Sequence, residues 1–406
     1  MLAGGRRPPS AHEQTAPIKA QPPMSALPEP SAEARAHSAA VTAHLRAEIA
    51  AAGGWIDFAR YMALVLYAPG LGYYSAGTRK FGAAGDFVTA PELTPLFAQA
   101  LAAPVAAVLA ETDGDILELG AGSGRLAVDL LAALAEGDAL PQRYRILEIS
   151  PELQARQRER IAAEAPDWLD RVEWLERLPA QFTGVAIGNE VLDAVPVHRV
   201  RWTAAGLFER GVAVEGDAFV WHDRPLAAGP LYEVARALPV TGEDYLSEIS
   251  LAGPGLVRSL GAALQHGALL FIDYGFPRAE FYHPQRGAGT LMSHYRHHAF
   301  DDPFFLPGLT DLTAHVDFTA IADAALDAGL DVLGYTGQAQ FLLNAGLLDR
   351  LARLGPGSAA YLRASAAVNL LLSPAEMGEL IKVIACGRGL RGGLPGFQRG
   401  DRRHTL

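Results

Sequence analysis

The sequence predicts an α/β fold built on a mostly parallel sheet, and three observations carry that expectation. From Asp115 onward, apolar runs alternate with amphipathic ones: "DILELG", "SGRLAVDLLAAL", "YRILEIS", "PELQARQRERIAAEA". Such alternation lays strands side by side in parallel, with crossover helices on both faces. "RVEWLE" and "GVAIGNE" read as further strands, and "GALLFIDYG", "DVLGYTG" and "IKVIACG" resume the sheet towards the C-terminus. With 406 residues, half of them hydrophobic, the chain can bury a sizeable core.

Taken in order, residues 1–31 are rich in proline and small residues and lack an apolar segment of the signal-peptide kind. They read as a disordered leader, within which Met24 is a second candidate start. A helical segment and a pocket loop are expected over 32–112. In "DFARYMALVLY", Phe58, Tyr61, Met62, Val65 and Leu66 share one helical face, with Asp57 as N-cap. Thr89-Ala90-Pro91-Glu92 has capping-box spacing, and an apolar helix is expected to run on from it. The sheet domain spans 113–387, interrupted at about 197–260 by Gly-broken alternating runs, read as an antiparallel insertion, and at about 276–372 by a largely helical one. Residues 388–406 are read as a tail.

Composition narrows the partners. A net charge of −11 opposes binding to nucleic acid or an anionic membrane, both of which reward a basic surface. No apolar run reads as long enough to cross a membrane. The single cysteine, Cys386, excludes an intrachain disulfide and a thiolate metal cluster. His294, His297, His298, Asp301 and Asp302 crowd together in "SHYRHHAFDDPFF", yet match no zinc spacing and read as a hydrogen-bonding loop, so no metal is assigned.

The most specific chemical signal is "ILELGAGSGRLAVDLL". A strand ends in Gly120-Ala121-Gly122-Ser123-Gly124 and a helix starts at once, offering close backbone approach and free N–H groups. A Walker loop would need Lys and Ser/Thr after Gly124, and the dinucleotide fingerprint would need a small residue where Arg125 stands. What remains is Glu-x-Gly-x-Gly-x-Gly, the form associated with S-adenosylmethionine. Glu118 can pair with the ammonium of its methionyl part. Glu148, at the end of the next strand, has the spacing of an acid that reaches ribose hydroxyls.

The fourth strand ends in "GNEVLDAVP", so Asn189, Glu190 and Asp193 should lie over the same rim of the sheet. They can orient a cationic substrate, accept a proton or bind the adenosine part. Alternatively, Asp193 caps a helix and Glu190 is merely solvated. Asp273 and Tyr274 close the next strand on the same rim, and His315 and Asp317 mark either a substrate wall or a local cap.

Laid in order, these segments resemble the MidA family of class I S-adenosylmethionine-dependent methyltransferases, which includes a mitochondrial assembly factor for respiratory complex I. The resemblance runs from about Gly54 to Gly387 through blocks such as "GYYSAG", "FGAAGDFVTAPELTPLF", "NEVLDAVPVHRV", "GQAQFLLNAGLL" and "MGELIKVIACGRG". Ala121 stands where relatives often carry proline, and Leu380-Ile381 where an aromatic is common. The resemblance implies a Rossmann-like, mostly parallel seven-stranded sheet with an N-terminal helical extension and inserted β and helical segments. It also implies protein arginine N-methylation, as symmetric dimethylation of a complex I subunit. By position, Glu118, Gly120, Gly122, Gly124 and Glu148 would hold S-adenosylmethionine. Asn189, Glu190 and Asp193 would meet the acceptor, and Gly85, Asp86, Thr89 and Glu92 would line the pocket from the N-terminal side. A protein substrate is expected, a homodimer is left open, and the location would be the cytoplasm of a bacterium or the mitochondrial matrix of a eukaryote. Two other readings stand beside this one: an assembly or binding factor that uses the fold as a scaffold, and a small-molecule O- or N-methyltransferase.

Overall fold

The computed structural model describes residues 27–76, 89–242 and 244–406. The leader expected over 1–31 lies mostly outside them, but Leu27 is buried against Tyr295, Phe300 and Leu309, so packing begins before residue 32. Ser31 caps α1 (Ala32–Ala51), its hydroxyl accepting from Ala34 N–H at 3.1 Å. β1 (Trp55–Asp57) leads into α2 (Phe58–Tyr67), which Asp57 caps as expected and whose predicted face is wholly buried.

The capping-box reading of Thr89–Glu92 fails. α3 (Ala90–Leu93) is a single turn without a side-chain cap from Thr89, and the chain then breaks at Thr94, at φ −166° and ψ 141°. The cause is Pro95, whose ring bars the preceding residue from helical geometry while fitting well at the first position of a new helix. α4 (Pro95–Thr112) therefore starts afresh, with the Thr94 hydroxyl accepting from Leu96 N–H at 3.3 Å. By length and composition α4 could cross a membrane, contrary to expectation. It is instead a core helix, with Phe97, Leu101, Val105 and Val108 buried.

β2 (Asp115–Leu119), α5 (Arg125–Glu136), β3 (Tyr144–Leu147), α6 (Pro151–Glu164), β4 (Val172–Leu175) and β5 (Phe182–Asn189) follow in the expected alternation. The chain then leaves the sheet through β6 (His198–Thr203), β7 (Gly206–Glu215), β8 (Ala218–Pro225), α7 (Pro230–Ala237) and β9 (Tyr245–Ile249). These strands form the expected antiparallel insertion, ordered β1-β7-β6-β9 with β8 on β7, so the N-terminal segment is stitched into it. α8 (Ala252–Ala263) and β10 (Leu264–Phe276) return to the main sheet, followed by α9 (Arg278–Phe281). A small sheet of β11 (Met292–Tyr295), β12 (His298–Phe300) and β13 (Asp311–Thr313) comes next, then β14 (Val316–Asp317), α10 (Phe318–Asp327) and β15 (Asp331–Gly337). Helices α11 (Gln338–Asn344), α12 (Leu347–Arg353) and α13 (Ala359–Leu372) precede the last strand, β16 (Ile381–Arg388).

The main sheet runs β4-β3-β2-β5-β10-β16-β15, the expected seven strands, and β14 adds beside the end of β10. The first five are parallel, and β16 is antiparallel to both of its neighbours. Their alternate residues divide between two cores. Val185 and Ile187 face α4 and α5, whereas Ala186 faces the side packed by α8 and α10. Because the chain proceeds outward from β2 to β4 and then returns to β5 on the other side, a crevice opens beyond the carboxyl ends of β2 and β5.

The segment read as a tail is part of the body. Phe397 packs on Phe341 at 5.2 Å and lies so close over β15 that a Cβ on Gly334 would meet its ring at 2.2 Å. The Arg402 N–H also donates to the Tyr335 carbonyl at 2.6 Å.

Candidate active site

The turn after β2 is built from left-handed backbone, with Gly120, Gly122 and Gly124 at φ 60°, 53° and 79°. A side chain at these positions would meet its own carbonyl, which is why glycine recurs there. The Gly120 N–H donates to the Leu147 carbonyl at 3.0 Å, tying the turn to β3. Ser123 donates its hydroxyl to Glu92, so α3 is latched onto the turn.

This turn forms one wall of a cavity of about 390 Å³. Glu118, Gly120, Gly122, Glu148, Asn189 and Glu190 all line it, together with Thr89 and Glu92. Four segments distant in sequence thus meet as expected. Gly124 stands just behind the lining as the N-cap of α5. Gly85 and Asp86 lie outside the described residues.

Each acid is set by its neighbours. Glu118 is buried and accepts from the Tyr144 hydroxyl at 2.7 Å. Burial pushes its carboxyl up to about 7, against the pull of that hydrogen bond. Glu148 sits one residue past β3, accepting from Ser150 N–H at 2.9 Å and from Gln157 Nε2 at 3.1 Å. Glu190 has φ 52°, an uncommon backbone for a side chain of its size, held by its N–H donating to the Ile272 carbonyl at 2.8 Å. Burial, and then the nearby Asp273, push its carboxyl up to about 8. The carboxyl of Asp193 is also raised, by burial and then by Asp273, Glu190 and Asp311. Asp193 caps no helix, because residues 190–197 form an irregular turn.

Three expectations need correction. Asp273 does not line the cavity. Its Oδ2 accepts from the N–H groups of Val191, at 2.9 Å, and Leu192, at 2.7 Å, and its Oδ1 from Tyr274 N–H at 2.8 Å. It shapes the Asn189–Asp193 turn from behind, and burial raises its carboxyl to about 7. Tyr274 does not line the cavity either; its ring stacks on His315 at 6.3 Å. His315 and Asp317 line a second, separate cavity of about 50 Å³. There Asp317 caps α10 through Ala320 N–H at 3.1 Å and pairs with Arg278 at 3.2 Å, so the local-cap reading holds. The histidine-rich loop behaves as a hydrogen-bonding segment: His294 meets the Thr313 hydroxyl at 3.2 Å and His298 the Arg296 carbonyl at 2.8 Å.

Sequence reasoning missed one side of the cavity. Tyr67 and Tyr74 line it as a stacked pair 5.6 Å apart. Tyr67 donates to the Ala194 carbonyl at 2.9 Å, and Tyr74 to Asp311 Oδ2 at 3.1 Å. Asp311, on β13, is buried and acts on both Glu190 and Asp193. No spacing could have marked this group, since α2, the loop after it and β13 are brought together only by the tertiary fold.

Residues 96–336 match a family model described as that of an S-adenosyl-L-methionine-dependent methyltransferase. The chain belongs to this family. A solved structure from Burkholderia thailandensis, bound to S-adenosyl-homocysteine, is 53% identical, covers 94% of this chain and 100% of that one, and superposes with a TM-score of 0.91. The chain is also similar to the mitochondrial protein arginine methyltransferase NDUFAF7 of Danio rerio (28% identical, covering 83% of this chain and 84% of that one). The Homo sapiens counterpart is likewise 28% identical, over 84% of this chain and 82% of its own length.

As a family member, the chain is an S-adenosylmethionine-dependent methyltransferase, and the cavity fits that methyl donor. Its volume suits a nucleoside joined to an amino acid. Asn189 Oδ1 is buried without a partner among the described residues, an acceptor ready for an ammonium or hydroxyl. Glu118 and Asn189 would face the methionyl part, Glu148 the ribose, and the exposed Ile149 at the cavity wall the adenine. The bound donor supplies an electrophilic methyl group on a sulfonium.

Proposed function

We propose that the chain transfers that methyl to an arginine side chain of a protein. The observation carrying this reading is the acid wall. Asp193 and Asp311 are buried and Glu190 half-buried beside the cavity, and among the described residues neither Glu190 nor Asp193 has an ion pair. Such a wall favours a cation that can satisfy several carboxylates at once, and a planar guanidinium does so through paired N–H groups. Glu190 and Asp193 hold the guanidinium in line, and one of them accepts the N–H proton that the acceptor nitrogen must lose. Positioning of this kind supplies much of the acceleration in a transfer reaction. The stacked Tyr67–Tyr74 pair gives the guanidinium plane an aromatic surface.

The names of the relatives point the same way, since they are protein arginine methyltransferases of mitochondria. With the family resemblance, they support symmetric dimethylation of a subunit of respiratory NADH dehydrogenase. Transfer would take place in the cytoplasm of a bacterium or in the mitochondrial matrix. The test is incubation with methyl-labelled S-adenosylmethionine and unmodified NADH dehydrogenase subunits, followed by amino-acid analysis. Label in dimethylarginine is expected. Label confined to lysine, to carboxyl esters or to small molecules would overturn the reading.

A further inference from the structure

Helix α6 packs its inner face under the cofactor cavity, yet that face is not uniformly apolar. Leu153, Gln154, Gln157 and Ile161 are its buried residues, so two amides occupy positions where the helical period calls for hydrocarbon. A buried amide is costly unless its polar atoms are matched. Gln157 is wholly buried, and both ends of its amide are matched. Its Nε2 donates to the Gly122 carbonyl at 3.0 Å and to Glu148 Oε2 at 3.1 Å, while its Oε1 accepts from the Trp174 indole N–H at 3.0 Å.

The indole fixes which way the amide points. Trp174 on β4 has only a donor to offer, so Oε1 must face it and both N–H groups must face the cavity wall. One of them grips the middle glycine of the turn and the other the carboxylate of Glu148. Ser150 N–H holds the second oxygen of that carboxylate. The plane of the group is thereby set before any ligand arrives. Gly124 completes the arrangement, because a Cβ there would lie 3.4 Å from Gln157 Cα and Cγ. Gln154 adds a further tie, from its Nε2 to the Glu148 carbonyl at 2.7 Å.

We infer that Gln157, oriented by Trp174, is a positioning residue that couples the glycine turn to Glu148 and so sets the affinity of the protein for the adenosyl group. Gln157 touches the ligand only through these two partners. The inference rests on S-adenosylmethionine binding alone and is independent of the acceptor.

The test measures the Kd of S-adenosyl-homocysteine by isothermal titration for the intact protein and for Q157M, E148Q and the double variant, with thermal melting alongside. Methionine keeps the length and volume of glutamine but has no N–H. Q157M should weaken binding on the order of 10-fold to 100-fold, because a carbonyl and a carboxylate lose buried donors. Adding E148Q should cost clearly less than the product of the two single losses, since both changes disable one unit. Binding by Q157M within twofold of the parent would overturn the inference, as would losses that simply multiply. If Q157M does not fold, W174F decides. It leaves Gln157 in place but frees its amide to rotate, and binding should weaken several-fold; unchanged binding would refute the role.

Discussion

Replacing Glu190 with glutamine keeps the side-chain shape and removes an ionisable group, so it isolates what the acid wall does. In the folded chain this carboxyl titrates at about 8 rather than the ordinary 4.5, chiefly because it is buried. Between those values the folded protein holds a proton that the unfolded chain has released. Stability therefore falls as pH rises through that window, by about 1.4 kcal/mol per pH unit for one group. Over the whole window the penalty is roughly 5 kcal/mol, fully developed only above the folded value and absent below the unfolded one. E190Q should remove this slope, matching the parent near pH 5 and exceeding its stability near pH 8.5 by several kcal/mol. Urea unfolding at half-unit pH steps, without ligand, reads the difference. The same variant should keep its affinity for S-adenosyl-homocysteine within a few-fold while losing kcat/KM for a guanidinium acceptor on the order of 100-fold. Parallel stability curves for parent and variant between pH 5 and 8.5 would refute the reasoning.

Other consequences follow from the same structure. Gly122→Val places a β-branched residue at φ 53° and should abolish detectable S-adenosyl-homocysteine binding by titration calorimetry while the protein remains folded. Asp311→Asn keeps an acceptor for the Tyr74 hydroxyl but removes a charge that acts on Glu190 and Asp193. Its pH–rate profile should shift to lower pH, with a raised KM for the acceptor. Phe397→Ala should cost about 3–5 kcal/mol in denaturant unfolding, as expected of a buried aromatic rather than of a loose tail.

The sheet and the cofactor half of the site were legible because their signals are contiguous. Glu118, the three glycines and Glu148 belong to one strand–turn–helix–strand unit, and local spacing fixes their relation. The acceptor half was legible only as far as Asn189, Glu190 and Asp193, which end β5 or follow directly on it. Asp273 sits on the expected rim, but its carboxylate is taken up by backbone N–H groups, and nothing in "FIDYG" distinguishes such an acid from one that meets ligand. The tyrosine pair reaches the cavity, and Asp311 the Tyr74 hydroxyl behind it, through long-range packing that leaves no periodic trace. Thr89 misled because a capping pattern is read in a short window, whereas the helix start is set by Pro95 a few residues later. The segment after Arg388 carries glycines and charges like a tail, and only the space over Gly334 reveals where Phe397 goes.

The central claim is that Glu190 is protonated when the site is empty and ionises around a cationic acceptor. Calorimetric titration of an arginine-bearing acceptor peptide into the protein–S-adenosyl-homocysteine complex at pH 7, in buffers of differing ionisation enthalpy, counts the protons exchanged. With Glu190 titrating at about 8, binding should release about one proton, and E190Q should release markedly less. Binding without proton release, or with the same release in E190Q, would contradict it.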